Sequence, residues 1–149
     1  MYLNCKTYFS FRYGTFSTEQ LVKAGSDNGV SAMALTNINN TSDWWDFYAF
    51  CKESNIKPVL GVEIRNGDQF CYVLLAKNNS GLLAINTFLT QHLQGEKPFP
   101  DRPFFSEDVW IIYSLQQVPQ SLVENELIGI RPSQVNKLFS VDVKALRYK

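Results

Sequence analysis

Histidine is nearly missing: His92 is the only one in 149 residues. It stands beside Leu93 late in a helical stretch and reads as a helix-end residue, not as a ligand or a base. Excess charge is missing too. Fourteen Lys and Arg balance fourteen Asp and Glu. With no Lys/Arg cluster, this segment is not expected to bind nucleic acid directly. No apolar run approaches the length that spans a bilayer, and the N-terminus lacks the basic, apolar, small-residue order of a signal peptide. No membrane contact is expected. Cysteine is sparse: Cys5, Cys51 and Cys71 sit at no metal-ligand spacing, each among apolar or aromatic neighbours. They read as free thiols in a reducing cytoplasm. The GxSxG elbow of serine hydrolases is absent, and Ser10 has no base in view. No glycine-rich phosphate loop exists either, since "NGDQ" reads as a hairpin and "NNSG" as the start of a helix. Repeats and low-complexity tracts are likewise absent.

What is present is an alternation of strands and helices. "YLNC" opens as a short strand and runs into a turn closed by Gly14. "FSTEQLVKAGSDNGV" reads as a capped helix, with Ser17 as cap, Gln20 completing a capping box, and Asn28-Gly29 as the stop. "SAMALTN" is a short, nearly continuous apolar run, the mark of a strand covered on both faces. After the polar loop "NINNTS", Ser42 or Thr41 is expected to cap a second helix, "DWWDFYAFCKES", with Trp45, Tyr48, Ala49 and Lys52 at helical spacing. Its four aromatics Trp44, Trp45, Phe47 and Tyr48 are too many for one face. Some must meet solvent or a partner, unless Trp44 lies under the polar loops. "KPVLGVEIRNG" is a strand ending in the hairpin signal Asn66-Gly67, and "QFCYVLLAKN" is its return. A third helix, "SGLLAINTFLTQHL", precedes a loop with Pro98, Pro100 and Pro103. "VWIIYS" and "LIGI" are further strands, and Pro132 suits the first turn of a short helix. Six strands, near residues 2–5, 32–36, 58–64, 70–76, 109–113 and 126–130, are expected in one sheet. The order implies an α/β fold, mostly parallel, with outer helices. "VDVKALRYK" is still alternating when the sequence stops, so residues 1–149 read as one domain from a longer protein.

In parallel α/β folds ligands sit at the carboxyl ends of strands. Those ends carry Asn4 and Lys6, then Thr36, Asn37 and Asn39, then Glu63. Hydrolytic metal centres need several carboxylates or imidazoles converging on one point. One Glu, some amides and a Lys are a poor set, because an ammonium repels a metal ion. No catalytic residue is therefore assigned.

Four stretches carry a resemblance. "LNCKTYFSFRYGTFSTEQLVKAG" is similar to an opening strand with a His-containing motif, a Tyr/Phe-Ser pair, a Gly and a helix. "GVSAMALTNINNTS" is similar to a second motif built on Leu-Thr-Asp, and "NIKPVLGVEIR" to a third, where Pro, Gly and Glu recur. "YVLLAKNNSGLLAIN" is the most specific, since "LLAKNxxG" after "GVE" separates the polymerase branch from free-standing phosphatases. In these features the chain resembles the N-terminal PHP (polymerase and histidinol phosphatase) domain of bacterial DNA polymerase III alpha subunits.

The resemblance implies a partial or distorted (β/α) barrel. It also implies a parent protein that makes DNA on a template, in the cytoplasm, with carboxylates of a palm domain outside this segment. Partners would be the rest of the polymerase chain and a proofreading exonuclease subunit. The family's His-x-His places fall on Asn4 and Lys6, its second-motif Asp falls on Asn37, and its third-motif acid is kept as Glu63. These four read as a vestigial metal site without a metal, in a domain that acts as a scaffold or interaction domain and is inactive alone. Two rival readings stay open: an active phosphoesterase or proofreading domain using Zn²⁺ or Mn²⁺, and a stand-alone interaction module. Lys6 reads either as a fixed cation paired with Glu63 or as a lysine whose stem packs while its head reaches solvent.

Overall fold

The computed structural model describes residues 1–139. The alternating stretch 141–149 lies outside the described residues. One six-stranded sheet runs β1 (Tyr2–Cys5), β2 (Ala32–Ile38), β3 (Lys57–Asn66), β4 (Gln69–Ala76), β5 (Val109–Ser114) and β6 (Glu126–Gly129), in that spatial order. β1–β2, β2–β3 and β5–β6 pair in parallel, while β3–β4 and β4–β5 are antiparallel. The sheet curls into a half-barrel. Asn66-Gly67 turns β3 into β4, and Gly67 takes the left-handed φ of +59° that a tight hairpin needs.

Helices α1 (Thr18–Asp27), α2 (Trp44–Glu53) and α3 (Asn79–Gln94) follow the connections. α1 starts as its sequence dictates. Gln20 N donates to Ser17 Oγ at 3.2 Å and Ser17 N to Gln20 Oε1 at 2.9 Å, a full capping box. The start of α2 differs from expectation. Asp43, not Ser42 or Thr41, occupies the cap position, and its carboxylate makes no cap hydrogen bond. It turns inward instead. On the inner face of α2, Trp44, Phe47 and Cys51 are buried, while Trp45, Tyr48, Ala49 and Lys52, which share a helical spacing, are exposed. Trp44 is buried and donates Nε1 to Gly61 O on β3 at 3.0 Å. Pro132–Phe139 forms a 3₁₀ helix. His92 sits in the last turn of α3, its Nδ1 2.8 Å from Phe88 O and its ring stacked on Phe99.

Strand alternation explains why these segments read as continuous apolar runs. On the helix side, Met33, Leu35, Val62, Ile64, Leu74 and Ile111 pack against Val22, Phe47 and Ile85. On the concave side, Ala34, Val73 and Leu75 form a second cluster with Val59, Trp110 and Ile112. Both faces of the central strands are thus apolar. The three cysteines are free. Burial pushes the Cys51 thiol up to about 11, which keeps it a protonated packing residue at neutral pH. A buried carboxylate pins the proline-rich loop: Glu126 accepts from Arg102 Nε at 2.8 Å, Arg102 Nη2 at 2.6 Å and the Tyr113 hydroxyl at 2.9 Å. Among the described residues, no helix is long and apolar enough to cross a membrane.

The two faces of α2 make a direct test. Phe47 is fully buried and Trp45 is 68% exposed. Phe47→Ala should cost about 3–5 kcal/mol of stability, and Trp45→Ala about 0.5 kcal/mol or less. Urea unfolding of both variants reads this out, and equal losses would contradict the observed orientation of the helix.

Candidate functional site at the carboxyl ends of β1, β2 and β3

Side chains two apart on a strand share a face. Ala34 and Thr36 on β2, and Val59 and Glu63 on β3, therefore point to the concave side, and the end of β1 adds Asn4 and Lys6. Glu63 is the centre, 2% exposed, and both of its oxygens are engaged. Oε2 accepts from Lys6 Nζ at 2.7 Å and from Asn4 Nδ2 at 3.1 Å. Oε1 accepts from Arg65 Nε at 2.6 Å. Lys6 Nζ also donates to Asn4 Oδ1 at 2.6 Å, and Thr36 Oγ1 donates to the same oxygen at 2.7 Å. The Lys6 and Arg65 side chains are only 13% and 15% exposed, so these are enclosed ion pairs.

Arg65 was not among the residues expected from sequence. It lies two positions beyond Glu63 on β3 and so shares its face. Its Nη1 donates to the Tyr13 hydroxyl at 2.6 Å, and its guanidinium lies over the Tyr13 ring, 4.2 Å from the centroid. Burial alone would raise the Glu63 carboxyl. The hydrogen bond and charge of Lys6, with hydrogen bonds from Arg65 and Asn4, outweigh it and hold the group below its ordinary 4.5.

Asn37 does not join this cluster. It alternates with Thr36 and turns to the helix side, where a second network forms around Asp43. Asn37 Nδ2 donates to Asp43 Oδ1 at 2.9 Å and to Thr7 Oγ1 at 2.8 Å. Asn37 Oδ1 accepts from Thr7 N at 2.9 Å and Ser10 Oγ at 2.6 Å. Asp43 Oδ2 accepts from the hydroxyls of Thr7 and Thr18 at 2.8 and 2.9 Å. Ser10 Oγ in turn accepts from Ile38 N at 3.0 Å. The amide of Asn37 is thereby satisfied on all sides, and its orientation is fixed, since a flip would turn its oxygen toward a carboxylate. Sequence reasoning missed Asp43 because it was taken for part of a helix start. Gly14 closes the same loop, with Tyr13 N and Gly14 N both donating to Ser10 O. A Cβ at Gly14 would lie 1.9 Å from Thr7 O, so no larger residue fits there.

The PHP domain family matches residues 3–125. The chain belongs to the PHP family. Relatives include the DNA polymerase III alpha subunits of Haemophilus influenzae and Pasteurella multocida. The first is 30% identical over 118 residues, covering 75% of this chain and 10% of the relative. The second is 28% identical over 117 residues, covering 74% and 10%. The chain spans about a tenth of the length of these relatives. Its fold is similar to that of an amidohydrolase from Chromobacterium violaceum, with a TM-score of 0.51 and 18% identity over 63% of this chain and 33% of that one.

The resemblance implied metal ligands at this mouth. The donors here do not make such a set. Among the described residues, Glu63 is the one carboxylate at this mouth, and each of its oxygens already faces a cation. Lys6 offers an ammonium, which repels a divalent ion. Among the described residues, no three His, Cys, Asp or Glu side chains converge.

Two outcomes follow from the two networks. Because the Glu63 carboxyl is held low in the folded state, its contribution to stability is complete above the unfolded value near 4.5 and is lost as pH falls through the lower folded value. The stability gap between the parent and Glu63→Gln should therefore be largest near neutrality and shrink below pH 4.5, as denaturant titrations across pH would show. For Asn37→Asp, a second carboxylate would face Asp43 at hydrogen-bond distance. One of the two acids then has a raised folded pKa, so the variant is destabilised above that value and recovers as pH falls. A loss of about 1–3 kcal/mol at pH 7 is expected, smaller at pH 5, and an Asn37→Asp variant as stable as the parent at both would refute the assignment.

Proposed function

We propose that this chain is a non-catalytic PHP domain at the N-terminus of a DNA polymerase III alpha subunit, where it serves as a scaffold for the rest of the polymerase. The observation that carries this reading is the state of Glu63. Among the described residues, the one carboxylate at the strand-end mouth is engaged by Lys6 and Arg65 on its two oxygens, and none is left there as a base for water activation or an anionic ligand for a metal. Residues 1–149 are then one domain of a longer cytoplasmic protein, whose DNA synthesis resides in carboxylates outside this segment. The relatedness to alpha subunits over most of the chain supports that placement. The partners on this reading are the remaining polymerase chain and a proofreading exonuclease subunit. The exposed Trp45 and Tyr48 on α2 support an interaction role.

The test is made on the purified protein. Elemental analysis should find Zn and Mn well below one atom per chain, and a generic phosphoester should not turn over with either ion added. Turnover that Glu63→Ala abolishes would replace this reading with a metal-dependent phosphoesterase.

A further inference from the structure

Asn4 on β1 and Lys6 just beyond it flank Cys5, and their side chains meet on one face. Lys6 Nζ lies 2.6 Å from Asn4 Oδ1, so an amine stands against the carbonyl of a carboxamide. Glu63 Oε2 holds both ends of that pair. It accepts from Lys6 Nζ at 2.7 Å and from the Asn4 amide nitrogen at 3.1 Å. Thr36 Oγ1 donates to Asn4 Oδ1 at 2.7 Å, where negative charge gathers when the amide carbon is attacked. The site is enclosed, with the Lys6 and Glu63 side chains 13% and 2% exposed. A nucleophile, a polarised electrophile and one carboxylate in contact with both the attacking and the leaving nitrogen are thus assembled in advance. Charge pairing alone does not require this, since Lys6 neutralises Glu63 whether or not an amide lies against its nitrogen.

From this we infer that the chain cross-links itself, by an amide bond between the Lys6 amine and the Asn4 side chain. Glu63 takes one proton from the Lys6 ammonium, and the free amine attacks Asn4 Cγ. Thr36 holds the oxygen of the tetrahedral adduct. Glu63 delivers its proton to Nδ2, the Cγ–Nδ2 bond breaks, and ammonia leaves. The new Nζ–Cγ bond gives up a second proton, so the ammonia departs as ammonium. No oxidant or reductant takes part. One ammonium and one guanidinium face one carboxylate before the reaction. The surplus positive charge leaves with the ammonium, and removing an uncompensated charge from an enclosed site favours the forward direction. The linked nitrogen keeps one N–H for Glu63. This is a single event in each chain and not turnover, so it goes beyond the scaffold reading without opposing it. It rests on the metal-free state of Glu63, whose Oε2 is held by the reacting groups themselves.

Intact-mass spectrometry of the purified protein, held at neutral pH after expression, reads the bond directly. The parent should weigh less than its sequence by one ammonia. Trypsin should fail to cut after Lys6, because its amine is acylated, and fragmentation of the Met1–Arg12 peptide should join Asn4 to Lys6. Lys6→Arg keeps the charge but offers no amine, and it should keep its full mass. Asn4→Ala should do the same. Glu63→Gln and Thr36→Val should each slow the loss of ammonia about a hundredfold. Closure of Asn4 onto the backbone nitrogen of Cys5 also expels ammonia, but it leaves Lys6 open to trypsin, persists in Lys6→Arg and opens in hydroxylamine. A loss of ammonia with those properties overturns the inference. Full mass in a metal-free parent after prolonged incubation overturns it too, and either result leaves the scaffold reading standing. A stoichiometric metal held by Glu63 overturns both.

Discussion

A carboxylate buried to 2% exposure must be compensated, and Glu63 sets that condition for the whole mouth of the half-barrel. Leaving it unpaired would cost several kcal/mol. Its partners come from different parts of the chain: Asn4 and Lys6 from the end of β1, and Arg65 from the end of β3. β1 does not pair with β3 in the sheet, because β2 lies between them. The Lys6–Glu63 ion pair therefore bridges over β2 and fixes how the first strand lies on the sheet. Arg65 extends the bridge. Its side chain holds Tyr13 of the β1–α1 loop, while its backbone exchanges hydrogen bonds with Asn39 of the β2–α2 loop at 2.9 and 3.0 Å. The β1–α1 and β2–α2 connections are thus both tied to one carboxylate.

The Asp43 network does similar work on the other side of the same strand end. It holds the β1–α1 loop through Thr7 and Ser10, the start of α1 through Thr18, and the start of α2 through its own position. The two networks meet in sequence at Lys6–Thr7 and diverge in space. A residue step on an extended chain reverses the direction of its side chain. So Lys6 serves the concave mouth, and Thr7 the helix-side core. An acid at 37 would load the second network with two carboxylates, whereas the amide can donate to one and accept from hydroxyls. This gives a physical reason for Asn37 that has nothing to do with a metal.

Much of this was legible in the sequence. All six strands were placed, and the apolar runs of β2, β3 and β4, buried on both faces, marked them most clearly. Ser17 and Gln20 announced the start of α1, and Asn66-Gly67 the hairpin. Strand-end reasoning with the family resemblance directed attention to Asn4, Lys6 and Glu63, which lie within hydrogen-bond distance of one another. The failures have specific causes. The resemblance grouped Asn37 with them by motif, but strand alternation turns it away. Arg65 carried a readable signal, its spacing of two from Glu63, which went unused because the strand was judged by its apolar residues. Asp43 carried none. A carboxylate before an aromatic helix looks like a cap, and only the tertiary placement of Thr7, Thr18 and Asn37 gives it other partners. The inner face of α2 was equally hidden, because aromatic residues stand on both sides and their spacing fits either.

The chemistry of the mouth also limits why it is polar at all. Apolar side chains of similar volume can replace a buried ion pair with no loss of stability, and often with a gain. The concave face beside it, with Val59, Val73 and Leu75, is already apolar and would accommodate them. Structural need alone thus does not account for a carboxylate and two cations there. What ion pairs provide and an apolar plug does not is directed donors and a charge of chosen sign. Had only the fold been at stake, one cation would neutralise Glu63. Arg65 is the second, held over the Tyr13 ring, and it ties the β1–α1 loop to the same carboxylate that anchors the end of β1.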